Sequence, residues 1–249
     1  MQSTKQGGSV IRQVLSLARV IAVALWTGFW TLLALLIHLV SRRTGLPLTL
    51  ARKVWAPPAL WMLGARLEVW GLESLDLSRS YLFVGNHASQ LDIPVLFAAL
   101  PVPLRFLAKE ELRRVPIVGV FITAMGMVFI DRDRADAARS SIDQLAELLA
   151  SELNLMAFPE GTRSRDGEIQ PFKTGAFVAA IKSGVPVVPV RIDGAAAILP
   201  AGTLAIQPGP VRVFVGKPIP STGLTLSDRR QFAARVHSSL VGLGSKRAE

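Results

Sequence analysis

The sequence predicts a mixed α/β domain, a central sheet surrounded by helices, preceded by a helical element suited to a membrane surface. Three observations carry this expectation. From residue 67 onward, short apolar runs of strand type alternate with amphipathic runs of helical type. Residues 20–41 form a 22-residue stretch without formal charge at neutral pH, long enough for a bilayer span. Charge is also unevenly placed. The first 67 positions hold eight basic residues and no acid, whereas the remainder holds 20 basic and 18 acidic side chains, so the net +10 belongs to the N-terminus.

The N-terminal element comes first in the chain. Trp26 and Trp30 share one helical face of the uncharged stretch, while Thr27, Gly28, Thr31 and His38 dilute its hydrophobicity. A second apolar patch over residues 54–67 contains Trp55, Trp61 and Met62, with Pro57 and Pro58 interrupting it. Residues 1–66 thus read as a basic, hydrophobic two-part anchor, either a single pass or a monotopic hairpin dipping into one leaflet. Arg42 and Arg43 favour the cytoplasmic face for the body, and Lys5, Arg12 and Arg19 also favour the inside, which suits the monotopic arrangement. The competing expectation is that these helices bury themselves against the domain. No compact small-residue cleavage pattern follows closely, so the segment is expected to stay attached.

The body is expected over residues 67–240. Strands are predicted at 67–71 and 80–85, followed by a polar junction of Asn86, His87, Ser89, Gln90 and Asp92 before a helix at 93–100, with Pro94 in its first turn. A buried strand is predicted at 126–130. The helix at 137–149 puts Ile142, Leu145 and Leu149 on one side, with Asp143 and Glu147 on a more polar face. Residues 154–158 read as a strand running into the turn 159–167; residues 172–183 read as a helix leading through Gly184 into a strand at 185–192. Short strands at 204–206 and 211–215 and a final helix at 228–240, starting at Ser227, complete the body. Residues 199–209 read as an irregular loop shaping the substrate entrance, and 241–249 as a flexible tail.

Composition excludes several function classes. With half the residues apolar and 18% charged, a disordered chain contradicts its own composition. The lack of cysteine excludes disulfides, thiolate catalysis and cysteine-ligated zinc. No aromatic platform is interleaved with basic residues in the balanced body, so no nucleic-acid partner is expected. Asp131 and Asp133 alternate with Arg132 and Arg134 without a divalent-metal pattern, and no nucleotide-binding loop is present, so no metal and no tightly bound cofactor is expected.

The chemistry-bearing residues sit at the polar junction. His87 is a candidate base and Asp92, five positions on, a candidate orienting acid; the spacing works when a strand-to-helix bend brings the two together. Ser89 reads as a cap or local hydrogen-bond donor, and Asn86 as a group that organises the turn or polarises a substrate. His38 and His237 lack a comparable acid and are set aside.

The run Asn86-His87-Ala88-Ser89-Gln90-Leu91-Asp92 resembles the NHxxxxD block of the 1-acylglycerol-3-phosphate acyltransferase family of glycerolipid acyltransferases. Three further blocks follow in the family's order: residues 126–132, residues 158–163, which read Phe-Pro-Glu-Gly-Thr-Arg, and residues 185–189. The resemblance covers roughly residues 67–220. It implies acyl transfer from acyl-CoA or acyl-ACP to a membrane lysolipid, foremost 1-acyl-sn-glycerol 3-phosphate, giving phosphatidate. On this resemblance His87 deprotonates the acceptor hydroxyl and Asp92 orients the imidazole. Glu160, Gly161, Thr162 and Arg163 form a substrate-binding block in which Arg163 is the principal phosphate anchor. Arg132, Lys109 and Lys173 are secondary electrostatic candidates. Two alternatives stand beside it: transfer to another lysolipid, such as a lyso-ornithine lipid or lysophosphatidylglycerol, and a lipid-binding scaffold without turnover.

Overall fold

The computed structural model describes residues 3–41, 45–116, 118–130, 135–164, 168–200 and 202–244. Its centre is a seven-stranded sheet in the order β1-β7-β6-β2-β5-β3-β4. The strands are β1 Ala65–Trp70, β2 Leu82–Gly85, β3 Leu104–Lys109, β4 Val128–Ile130, β5 Asn154–Ala157, β6 Val187–Asp193 and β7 Gly209–Val215. Strands β6, β2, β5, β3 and β4 run parallel; β7 pairs antiparallel with β6 and carries β1 beside it. The helices are α1 Ser3–Ser41, α2 Gly45–Leu50, α3 Ala56–Met62, α4 Asp92–Ala99, α5 Val118–Ala124, α6 Ala135–Ala150, α7 Gly175–Ser183, α8 Ala195–Ile198 and α9 Arg229–Gly242.

Period-two alternation in the central strands divides the core into two layers. On β2, Phe83 joins a cluster with Leu91, Val95 and Leu96 of the α4 region, whereas Leu82 and Val84 join Leu145 and Leu149 of α6, Phe177 of α7 and Val236 of α9. The strand is buried on both faces, as a parallel strand flanked by helices must be.

The N-terminal segment differs from its expectation in two respects. Pro57 and Pro58 begin a helix instead of ending one. Residues Ala51–Trp55 form a π-helical turn in which the Ala56 N–H reaches back to the Ala51 carbonyl, and the prolines then occupy the first turn of α3, where their missing N–H groups cost little. Helices α2 and α3 also pack into the domain: Leu48, Ala51, Ala56 and Leu60 are buried in the same cluster as Val95 and Val188. Helix α1 rests on this layer. The Trp26 indole donates to the Trp55 carbonyl at 3.0 Å and the Trp55 indole to the Thr27 hydroxyl at 3.2 Å. Near its start, Ser16 Oγ both donates to the Ile206 carbonyl and accepts the Ile206 N–H.

That exchange explains a second difference. Residues 204–206 form no strand, because their backbone groups are taken elsewhere: the Ala205 N–H goes to Thr203 Oγ1, Ile206 to Ser16, and the Gln207 N–H to the Ile198 carbonyl. Strand β3 and helix α5 were not anticipated from sequence. The final helix starts at Arg229, two positions after Ser227, behind a short 3-10 turn closed by a reciprocal box of Thr225 and Asp228. Of the tail, residues 245–249 lie outside the described residues; the Val241 carbonyl accepts Arg191 Nη1 at 2.7 Å.

Candidate active site

Strand β2 lies between β5 and β6 and parallel to both, so the loops leaving the carboxyl ends of β2 and β5 meet at one edge. Such an edge, beside the central strand of an open α/β sheet, is where ligands collect. Gly85 closes β2; a Cβ there would stand 2.5 Å from the tip of the Met156 side chain and 3.1 Å from the Val190 carbonyl, so a larger residue would push Met156 aside and crowd the strand exit. Asn86 then clamps the exit to β6. Its Nδ2 donates to the Ile192 carbonyl at 2.9 Å and its Oδ1 accepts the Ile192 N–H at 2.8 Å, which consumes the amide in holding the loop.

The bend brings His87 and Asp92 together, with His87 Nδ1 2.7 Å from Asp92 Oδ2. The same Oδ2 accepts the backbone N–H groups of Ala88 and Ser89, each at 2.9 Å. Asp92 sits in the first turn of α4 and is 1% exposed, so three donors and a helix N-terminus surround one buried carboxylate. Its other oxygen, Oδ1, is buried without a partner among the described residues. With Nδ1 facing the carboxylate, the Nδ1–H tautomer leaves Nε2 as the free base. Phe158 stacks on the imidazole, centroids 4.2 Å apart and planes within 15°. Ser89 Oγ donates to the Leu199 carbonyl at 2.7 Å and accepts the Leu91 N–H, bracing the loop against the segment before β7.

Glu160 occupies a position its sequence block does not reveal. Its Oε1 accepts the His87 backbone N–H at 2.8 Å and its Oε2 the Gln170 N–H at 3.0 Å. Burial drives its carboxyl above the ordinary range, only partly offset by these two N–H donors. The Ser164 N–H donates to the His87 carbonyl at 2.8 Å, so the loop after β5 grips the base residue through both its backbone groups.

The cationic candidates surround this edge. Gly161 takes a left-handed φ of +86° with the Lys173 side chain lying over it, while Thr162 and Arg163 lie just beyond it, both exposed. Arg163 makes no hydrogen bond or ion pair among the described residues. Lys109 ends β3 at the same edge. Arg132 lies outside the described residues. A cleft of about 260 Å³, lined by Leu107, Ile142, Phe158, Pro159, Lys173 and Ala176 among others, opens beside Phe158. Sequence reasoning had assigned no task to Phe158; its place just past a strand end, before Pro159, was the available signal.

The geometry has counterparts. Residues 66–193, about half of the chain, match the family described as Acyltransferase. The chain belongs to the acyltransferase family. Among curated relatives, it is 37% identical over 169 residues to the chloroplastic 1-acyl-sn-glycerol-3-phosphate acyltransferase BAT2 of Brassica napus, covering 67% of this chain and 48% of that one. It is 34% identical over 182 residues to human 1-acyl-sn-glycerol-3-phosphate acyltransferase alpha, covering 73% and 64%. The chain therefore spans about half of the first relative and just under two thirds of the second. Among solved structures, the 1-acyl-sn-glycerophosphate acyltransferase PlsC of Thermotoga maritima superposes with a TM-score of 0.77 at 27% identity, covering 97% of this chain and 98% of that one. An acyltransferase fold thus extends over the N-terminal helices as well as the family-matched core.

Proposed function

We propose that this acyltransferase moves a fatty acyl group from a thioester, acyl-CoA or acyl-ACP, to the free hydroxyl of 1-acyl-sn-glycerol 3-phosphate, forming phosphatidate. The observation that carries the reading is the His87–Asp92 pair, held at the carboxyl edge of the sheet, with Nε2 and the Arg163 guanidinium on the adjacent loop both without a partner among the described residues. His87 Nε2 takes the hydroxyl proton as the oxygen attacks the thioester carbon. The tetrahedral intermediate expels the thiolate, which takes that proton back from the imidazolium. Asp92 stabilises the transient positive charge and keeps the tautomer. No covalent acyl-enzyme is needed, in keeping with a chain that has no cysteine. Arg163, with Lys173 and Lys109, holds the acceptor phosphate.

The acceptor is a lipid, and α1 supplies the means to meet it. Residues Gln13–Ser41 are long and apolar enough to cross a membrane. The helix nevertheless lies against the body from Ser16 to Ala34, about 27 Å at 1.5 Å per residue. Away from that contact it exposes Ile21, Leu25, Phe29, Leu32, Leu36 and Leu39 as an apolar stripe. A helix attached over that length would draw the domain's flank into the hydrocarbon if it crossed, so the arrangement supports a monotopic seat; the basic residues Arg42 and Arg43 favour the cytoplasmic face for the body. Isotope-labelled 1-acyl-sn-glycerol 3-phosphate, offered in vesicles with each donor and with a panel of other lysolipids, tests the reading. Labelled phosphatidate by mass, abolished in His87→Ala, is expected; turnover confined to another lysolipid, or unchanged in the variant, overturns it.

A further inference from the structure

Outside the N-terminal helices, exposed large apolar side chains gather in one place. Leu112, Val115, Val118 and Val120 are all exposed, Val120 by 61%, within one short stretch, whereas Leu77, Leu204, Leu226 and Val241 stand singly along the chain. The stretch is the knuckle between β3 and β4: a 3-10 turn Glu110–Arg114 followed by α5. Contiguous exposed apolar surface on a soluble face is costly and marks a surface that something covers.

The described residues of the knuckle are fastened to their surroundings. The Gly119 N–H bonds to the Val115 carbonyl, and a side chain at Gly119 would collide with the Arg113 carbonyl. Arg113 is fastened twice, by an ion pair to Glu110 and by its guanidinium 4.1 Å above the Phe129 ring. Phe121 of α5 and Met125 just after it face Thr27, Trp30 and Ala34 of α1 across a small apolar cleft. Helix α5 thus packs beside α1, the helix that carries the exposed apolar stripe.

We propose that the knuckle is a second lipid-contacting element, seated in the same leaflet as α1 and bringing that leaflet to the rim of the active site. This rests on the monotopic reading of α1. The packing of α5 beside the helix that carries that stripe selects a lipid surface as the occupant. So does the make-up of the patch: valine and leucine side chains penetrate shallowly, while Arg114, which makes no ion pair among the described residues, reaches toward headgroup phosphate. Glu110 and Glu111 balance Arg113 and Arg114 in formal charge, so apolar contact supplies most of the affinity. The consequence for the site is positional. The knuckle follows directly on Lys109, the residue that ends β3 at the edge where His87 stands, so an acceptor lipid leaves the leaflet beside one of the cations proposed to assist Arg163 in holding its phosphate.

The lack of native cysteine makes a direct test available. Val120→Cys, Leu25→Cys and Leu226→Cys in the whole chain, each labelled with an environment-sensitive NBD fluorophore, are mixed with phosphatidylcholine–phosphatidylglycerol vesicles. The labels at 120 and 25 are expected to brighten several-fold and shift to the blue, with the label at 226 unchanged. Val115→Glu/Val120→Glu is expected to weaken vesicle partitioning about tenfold, with Val115→Leu/Val120→Leu binding at least as well as the parent. A silent label at 120 with a responding label at 25 overturns the knuckle and leaves the α1 seat standing; silence at both removes both. A label at 120 that responds to acyl carrier protein and not to vesicles assigns the knuckle to a protein partner and also overturns the proposal.

Discussion

Glu160 Oε1 accepts the backbone N–H of His87 at 2.8 Å, so the carboxylate at the head of the expected substrate-binding block holds the residue proposed as base. The second oxygen reaches the Gln170 N–H, on the far side of the turn that carries Arg163. One buried side chain thereby sets the distance between the proposed proton-transfer group and the proposed phosphate anchor.

Glu160→Gln is expected to keep one grip and break the other, because the amide offers an acceptor to one N–H and a donor to the other. A loss of about 1–3 kcal/mol in stability follows from the buried mismatch. The wild type also carries a pH signature. A carboxyl whose folded value lies above its unfolded one makes the native state bind the extra proton more tightly, so stability falls as pH rises from the ordinary carboxylate range through the raised value. Urea unfolding of both proteins across acidic to neutral pH is expected to show the advantage of the wild type shrinking in that window; an advantage that grows there contradicts the burial argument.

His87→Ala is expected to lower kcat by about 10²–10⁴-fold while acceptor binding, carried by the cationic loop, changes little. Asp92→Asn tests the partner. The variant loses the charge that stabilises imidazolium and places an amide nitrogen or oxygen without a partner at the buried Oδ1 position, so kcat falls by about 10²-fold or more and unfolding becomes easier. Single-turnover rates beside equilibrium acceptor binding separate the two effects.

Arg163→Gln is expected to raise KM for a phosphate-bearing acceptor about 10–100-fold, the value of one or two charge-assisted hydrogen bonds, with little change for a lysolipid lacking a phosphomonoester. Lysine at this position is expected to recover part of the loss, since it restores charge without the planar fork. Equal losses on both acceptor types would move the phosphate site elsewhere on the edge.

Gly161→Ala meets two obstacles. The left-handed backbone costs a β-carbon about 1–2 kcal/mol, and that carbon would stand 2.8 Å from Lys173 Nζ. Lower thermal stability together with a raised acceptor KM is expected, whereas lower stability with unchanged KM would reduce Lys173 to a surface residue.

Much of this architecture was legible before any coordinates. Strands β1, β2, β4, β5, β6 and β7 and helices α4, α6, α7 and α9 fall close to the apolar runs that predicted them, since their burial follows simple periodicity. Strand β3 was not, because Leu-Arg-Phe-Leu-Ala-Lys carries no β-branched residue and takes its extended form from pairing on both sides. Proximity of His87 to Asp92 was readable from spacing and a bend. The grips of Glu160 on His87, Asn86 on Ile192 and Ser89 on Leu199 were not, because each joins a side chain to a backbone group at least 73 positions away, a relation that no local pattern encodes. Pro57 and Pro58 misled for a related reason: their effect depends on whether the turn before them widens, which packing decides.

The attachment of α1 along the body has a kinetic corollary. A catalyst on a slack tether samples a volume, but one fastened at Ser16 and again at Trp26 keeps its reacting edge at a set altitude over the plane in which the helix lies. On the proposed monotopic seat, encounters become two-dimensional. Turnover of a leaflet-dissolved acceptor is then expected to follow its surface mole fraction, falling on dilution with inert lipid at constant bulk concentration and staying level when more vesicles of the same composition are added.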